Sequence, residues 1–134
     1  MATIYMLALC LWREARGEPI EGKAAVADVI LTRAADRRWP KTITGVITQR
    51  RQFSAFNSDD PNVTKYPDPA GRNLTDWRAF VDCLAVAATA IDQGPTGSAN
   101  HYHAASIARP RWAAKMQPMG RIGRHIFYLD PGTN

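Results

Sequence analysis

The chain of 134 residues has only two cysteines, Cys10 and Cys83, far apart and inside helix-like segments. That excludes a disulfide framework and a CxxC metal cluster, and leaves two buried free thiols as the expectation. An HExxH string, internal repeats and low-complexity tracts are also missing, so nothing points to a zinc-protease helix or a repeat architecture. No apolar run is long enough to span a bilayer. Ile4 to Trp12 is short, has no basic leader and runs straight into Arg13-Glu14-Ala15-Arg16. Neither a signal peptide nor stable membrane insertion is expected from it.

What is present resembles an ordinary soluble protein, with 46% hydrophobic and 22% charged residues, enough apolar material for a buried core. The length fits one domain, residues 1–134, and a monomer is expected. Lys and Arg number 17 against 12 Asp and Glu, a formal charge of +5 that favours anionic partners. Nucleic acid, acidic lipid and the anionic polymers of a bacterial envelope share that attraction. The basic residues are scattered through the chain, so a solvated surface explains them equally well, and no nucleic-acid partner is expected.

Ile4, Leu7, Ala8, Leu11 and Ala15 recur at three- and four-residue spacing, predicting a helix over 3–16 that stops at Gly17. Pro19 suits the first turn of a second helix, carried by Ala25, Val26, Val29 and Ile30 to about Ala35. A short third helix fits Thr42 to Gln49, capped by Thr42. Residues 57–73 have loop composition, with three Pro, three Asp and three Asn. A long helix follows from a Thr75 cap to Gly94, carried by Trp77, Phe80, Val81, Leu84, Ala87, Ala88 and Ile91, and is expected to be central. Ala99 to Ala104 and His125 to Leu129 read as extended segments able to pair antiparallel, with a short helical stretch near Trp112 to Met116 between them. The fold class expected is α+β, mainly helical, with a small antiparallel β-sheet.

Glu14 is the unusual residue. At about 100° per residue it falls roughly 20° from Leu7 and 60° from Leu11, inside the apolar stripe. Burial disfavours its charge, and so does the negative end of the helix dipole, so a raised pKa is expected. Arg13 and Arg16 point to other sides of the wheel. A carboxylic acid kept protonated near neutral pH can donate a proton to a glycosidic oxygen as the bond breaks. The same wheel position also suits a buried glutamate hydrogen-bonded within the fold. Glu18 stands just before Pro19, where the N-terminus of the second helix favours a negative charge. It reads either as support for the site or as a helix cap or turn holder.

The string Trp12-Arg13-Glu14-Ala15-Arg16-Gly17-Glu18-Pro19, with Glu21-Gly22-Lys23 after it, resembles the SleB/CwlJ-like cell wall hydrolases, a group that includes spore cortex-lytic enzymes. Gln52-Phe53-Ser54 resembles that family's middle motif, Asn100-His101-Tyr102-His103 its histidine and tyrosine strand, and Gly120 to Phe127 its closing segment. The resemblance implies a lysozyme-like, lytic-transglycosylase-like fold. It also implies that Glu14 cleaves peptidoglycan glycan strands at the β-1,4 bond after N-acetylmuramic acid, with no cofactor. Glu18, Gln52, Phe53, Ser54, Asn100, His101, Tyr102, His103 and His125 become candidate substrate-binding or supporting residues. A single acid suffices for closure of a 1,6-anhydro ring, whereas hydrolysis needs a second group to activate water. Asp28, Asp59, Asp60 and Asp68 are the acids to consider, and none is placed beside the bond by sequence. A compact chain read without a leader looks like a phage endolysin that reaches the wall by holin-dependent release.

Two other readings stay open. Three imidazoles, His101, His103 and His125, in principle bind zinc, as in an amidase with Glu14 as base. A basic wall-binding module is the non-enzymatic alternative, supported by charge alone. The tryptophans Trp12, Trp39, Trp77 and Trp112 are expected to pack rather than stack on sugar.

Overall fold

The computed structural model describes residues 2–49, 66–67 and 73–132. Helix α1, Ala2–Ala15, is apolar on almost every side, and Leu7 through Trp12 are all buried. A helix of that kind belongs inside a protein. It touches α2, Ile20–Ala34, α3, Ile43–Thr48, and α4, Leu74–Gln93. The central helix is therefore α1 and not α4, which buries Phe80, Cys83, Val86 and Ala87 on one face and exposes Val81 and Asp82 on the other. Both cysteines are free and buried, as expected. Among the described residues no helix is long and apolar enough to cross a membrane.

Helix ends follow local chemistry. Pro19 occupies the cap position of α2 in an extended conformation, without a side-chain cap bond. The Thr42 hydroxyl accepts the Gly45 N–H at 3.0 Å and starts α3, as the sequence indicates. Helix α4 is capped by Asn73, whose amide oxygen accepts the Asp76 N–H at 3.1 Å. The expected cap, Thr75, lies inside the first turn instead. Asn is among the strongest cap formers, and it sits four residues before the first aromatic of the stripe. At the other end Gly94 has φ +78° and its N–H reaches Ala90 O, a left-handed closure that favours glycine.

Three antiparallel strands follow: β1, His101–Ala104, β2, Gln117–Ile122, and β3, His125–Leu129, in the order β1-β3-β2. Strands β1 and β3 and their pairing match the sequence reading. Strand β2 escapes it, because Pro118 and Gly120 are residues that strands avoid. The proline is tolerated on an edge strand with a register shift between Pro118 and Gly120.

The register pairs His101 with Tyr128, Tyr102 with Phe127, His103 with Ile126 and Ala104 with His125. Since side chains alternate across a strand, Tyr102, His125 and Phe127 share one face, and His101, His103 and Tyr128 share the other. The first face packs on the helices, with Phe127 in the core and Tyr102 against it. The second is covered by Trp112 from the 3-10 turn Arg111–Lys115, whose ring lies 5.4 to 5.8 Å from His101, His103 and Tyr128. Trp12 is core, and Trp39 and Trp77 pack against it, so the tryptophans serve mainly as packing.

Candidate active site

Glu14 stands in the last turn of α1, half-buried. The two arginines beside it in sequence are engaged with aromatic rings. The Arg13 guanidinium lies 4.8 Å from the Tyr66 ring centre, and that of Arg16 lies 4.5 Å from Trp12 while donating to the Trp12 carbonyl at 3.3 Å. Two other groups respond to the Glu14 charge. Burial, and then Glu14, push the Cys10 thiol one turn earlier well above its usual range. Burial, and then Glu14, do the same to the Tyr102 phenol on β1. Glu14 is thus within electrostatic reach of both Cys10 on α1 and Tyr102 on β1. The phenol there remains a hydrogen-bond donor at working pH.

Glu18 is buried at the junction of α1 and α2, but its carboxylate turns away from the first turn of α2. Oε1 accepts the Arg124 N–H at 2.6 Å and lies 3.2 Å from His125 Nδ1. The imidazole is at ion-pair distance yet out of line for a hydrogen bond. Burial lowers the His125 pKa, and the Glu18 charge only partly offsets this, so the ring is neutral at pH 7. The approach is so close that a Cβ on Gly123 would fall 2.7 Å from Glu18 Oε1, and Gly123 also has φ +57°. Glycine fits there on both counts. Of the two structural roles open to Glu18, it holds a turn, and the turn is the distant β2 to β3 connection. The main chain of Glu18 is fixed as well, its carbonyl accepting the buried Lys23 ammonium at 2.7 Å.

The Asn100-His101-Tyr102-His103 segment divides its members between tasks. Asn100 is buried, with its amide donating to Asp130 O at 2.7 Å and accepting from Asp130 N at 2.9 Å. It closes the end of the β1 to β3 ladder. His101 Nδ1 lies 2.8 Å from Asn100 Oδ1, and its ring stands between Trp39 and Trp112. Burial, assisted by Arg33, pushes its pKa down to about 4. His103 Nδ1 lies 2.8 Å from Ala104 O, a contact in which the ring donates, and Nε2 lies 3.0 Å from the Tyr128 hydroxyl. His101 and His103 do share a face, as alternation predicts, but His125 occupies the opposite one. The three imidazoles therefore do not converge on one point, because the register places His125 opposite Ala104 rather than His103.

Gln52, Phe53 and Ser54 lie outside the described residues, as do Asp59, Asp60 and Asp68. Asp28 is committed elsewhere. It accepts the Thr96 N–H at 2.8 Å and the Thr96 hydroxyl, tying α2 to the loop before β1. A cavity of about 740 Å³ lies beside it, lined by α2, α4 and the apolar residues Ile122 and Phe127, and Glu14 is not among its lining residues. Size alone does not find the candidate acid. Sequence reasoning also missed Arg33, whose Nε donates to Asn100 O at 2.7 Å and whose head lies 5.2 Å from the Trp39 ring centre. Burial lowers its pKa to about 10, so it stays charged and holds the start of β1.

Residues 17–128 match the model of the family described as Cell Wall Hydrolase. The chain belongs to that family. The match begins after Glu14 and does not include that residue. Over 124 residues, 92% of the chain, the cell wall hydrolase domain is 35% identical to a spore cortex-lytic enzyme of Halalkalibacterium halodurans and 32% identical to one of Bacillus cereus. These stretches are 34% and 43% of the relatives' lengths, so the chain spans well under half of each. Among solved structures, the catalytic domain of the Bacillus cereus SleB protein superposes with a TM-score of 0.66 at 32% identity, covering 94% of this chain and 88% of that one. The catalytic domain of the germination-specific lytic transglycosylase SleB from Bacillus anthracis gives 0.67 at 31%, covering 94% and 93%. The fold is that of the SleB catalytic domain.

Proposed function

We propose that this cell wall hydrolase is a peptidoglycan lytic transglycosylase that cleaves the β-1,4 bond between N-acetylmuramic acid and N-acetylglucosamine, with Glu14 as its acid and base. The observation that carries the reading is the half-buried carboxyl group of Glu14 in the last turn of an otherwise apolar, buried α1. The names of the two structural relatives and the family support the substrate class. Of the three acids that follow Glu14 in sequence, Glu18 is occupied with the hairpin turn and Asp28 with Thr96, and Glu21 is exposed in the first turn of α2, which favours a route needing one carboxyl group.

In that route the Glu14 proton passes to the glycosidic oxygen as the bond from the muramic C1 breaks. The C6 hydroxyl oxygen of the same sugar then bonds to C1. Its proton returns to the Glu14 carboxylate, which restores the acid and leaves a 1,6-anhydro end without consuming water. Hydrolysis instead adds water at C1 and leaves a reducing end.

Digestion of purified peptidoglycan, with mass spectrometry of the released ends, separates the cases. Anhydromuramic ends are the expected product, unchanged after treatment with a chelator. Reducing muramic ends make the enzyme a muramidase, and free stem peptides lost with the metal and restored by zinc make it an amidase.

A further inference from the structure

The basic residues are spread along the chain, but their excess over acids is not. Between Asp92 and Asp130 there is no Asp or Glu, while Arg109, Arg111, Lys115, Arg121 and Arg124 all fall there. Taking those five from the 17 Lys and Arg leaves 12, which balance the 12 Asp and Glu of the other segments. The whole formal charge of +5 therefore belongs to the sheet and its connections. All five side chains are exposed, and among the described residues none is paired with a carboxylate.

The fold gathers these cations on one face. His103 pairs with Ile126 and Ile126 with Arg121, so the cross-strand row puts Arg121 on the side of the sheet that carries His103, away from the helical core. Arg121 Nε donates to Gly123 O at 2.9 Å, which steadies its guanidinium. Trp112 lies over the same side, its ring 5.8 Å from that of His103 and 5.5 Å from that of Tyr128. The ring pins the turn Arg111–Lys115 there, with a cation at each end. Three of the acids, Glu21, Asp28 and Asp82, line the cavity beside α2 and α4 instead.

We propose that this outer face of the sheet is a second, non-catalytic contact with peptidoglycan, whose cations hold the free stem-peptide carboxylates of the insoluble wall. The proposal rests on peptidoglycan as the substrate and not on the role of Glu14. Four of the five cations are arginine, and a planar guanidinium takes a carboxylate through two parallel N–H bonds. With no acid among them, their field is left for a partner. Each exposed ion pair is weak and screened by salt. A polymer that carries many carboxylates engages several cations at once, and each contact keeps the next within reach. The face thus retains the enzyme on the wall and leaves the bond-breaking step unaltered.

The experiment compares wild type with two triple variants. One is Arg109→Gln, Arg111→Gln, Lys115→Gln. The other is Arg37→Gln, Lys41→Gln, Arg78→Gln, which removes the same charge from exposed positions outside the sheet. Sedimentation with purified sacculi in the cold reads binding, and kinetics are followed on sacculi and on short soluble fragments. The sheet variant should bind sacculi roughly tenfold more weakly or worse, the size of three exposed ion pairs, with a like fall in kcat/KM on sacculi. On soluble fragments its kcat should stay within about twofold of wild type, since no group at the bond has changed. The second variant should keep sacculus binding within about twofold, as charges outside the face do not share its contacts.

Amidating the carboxyl groups of the sacculi should erase the difference between wild type and the sheet variant, and stripping phosphate polymers with hydrofluoric acid should leave it intact. Equal losses in the two variants reduce the effect to net charge and overturn the proposal. A difference that survives amidation, or that vanishes with the phosphate polymers, also overturns it. Lys115→Glu, one exposed change, should weaken binding in the same direction if the triple variant does not fold, and unchanged binding there counts against the face. A wild type that cleaves neither sacculi nor fragments sinks the proposed function; cleavage of both, with normal binding by the sheet variant, sinks only the second contact.

Discussion

Glu14→Gln is expected to lower kcat by roughly 10²- to 10⁴-fold, the range associated with a positioned general acid, while the melting temperature moves by no more than a few degrees. The amide has nearly the shape of the carboxyl group, so packing at the end of α1 survives. What it lacks is a proton acidic enough to give to the leaving oxygen, and a carboxylate to recover one from the C6 hydroxyl. In a basic wall-binding module the same change has little effect. Retention of more than about a tenth of the wild-type rate, measured by release of anhydromuramic ends, removes Glu14 from the chemistry.

Asn100→Ala should produce the largest loss of stability, about 2–4 kcal/mol, because it removes both bonds of the buried amide to the Asp130 main chain and strands the Asp130 N–H, while the carbonyl keeps the Arg38 guanidinium. Asp130 is half-buried, so water recovers part of the loss. At this chain length the change amounts to roughly 10 °C in melting temperature. Thermal denaturation checks the size. Kinetics at a temperature where the variant is folded check the role, since a residue that closes the ladder leaves KM nearly unaltered. An unchanged melting temperature with a raised KM moves Asn100 to the substrate-contacting group.

The elements legible in the sequence are those set by local periodicity. The stripes of α1, α2 and α4, the Thr42 cap and the alternating pattern of β1 and β3 need only neighbouring residues to be read. The fold class was legible for that reason. Strand β2 was not, because Pro118 and Gly120 oppose strand formation and only pairing with β3 overrides them. Nor was the centrality of α1, since burial on all sides depends on three partners and not on the helix's own length.

The candidate site divides in the same way. Glu14 was singled out by a wheel that asks which charged residue lies on an apolar face, and the structure leaves it half-buried there. The same question asked of α2 identifies Lys23, roughly 20° from Ile30 at 100° per residue, and Lys23 is indeed buried against the Glu18 carbonyl. The grip of Glu18 on Arg124 had no local signature. Its one hint, the glycine at 123, gains meaning only when the carboxylate is seen beside it. The separation of His125 from His101 and His103 likewise depends on register, which alternation within each strand leaves undetermined.

The central claim is that Glu14 begins the reaction as a protonated acid, held so by its place on the apolar side of α1. Its most direct test is the pH dependence of kcat/KM for the wild type on soluble peptidoglycan fragments. The account predicts activity that falls along a single alkaline limb whose midpoint lies above about 4.3, the ordinary glutamate value, and no comparable limb in the residual activity of Glu14→Gln. A midpoint at or below that value, or the same limb persisting in Glu14→Gln, contradicts it.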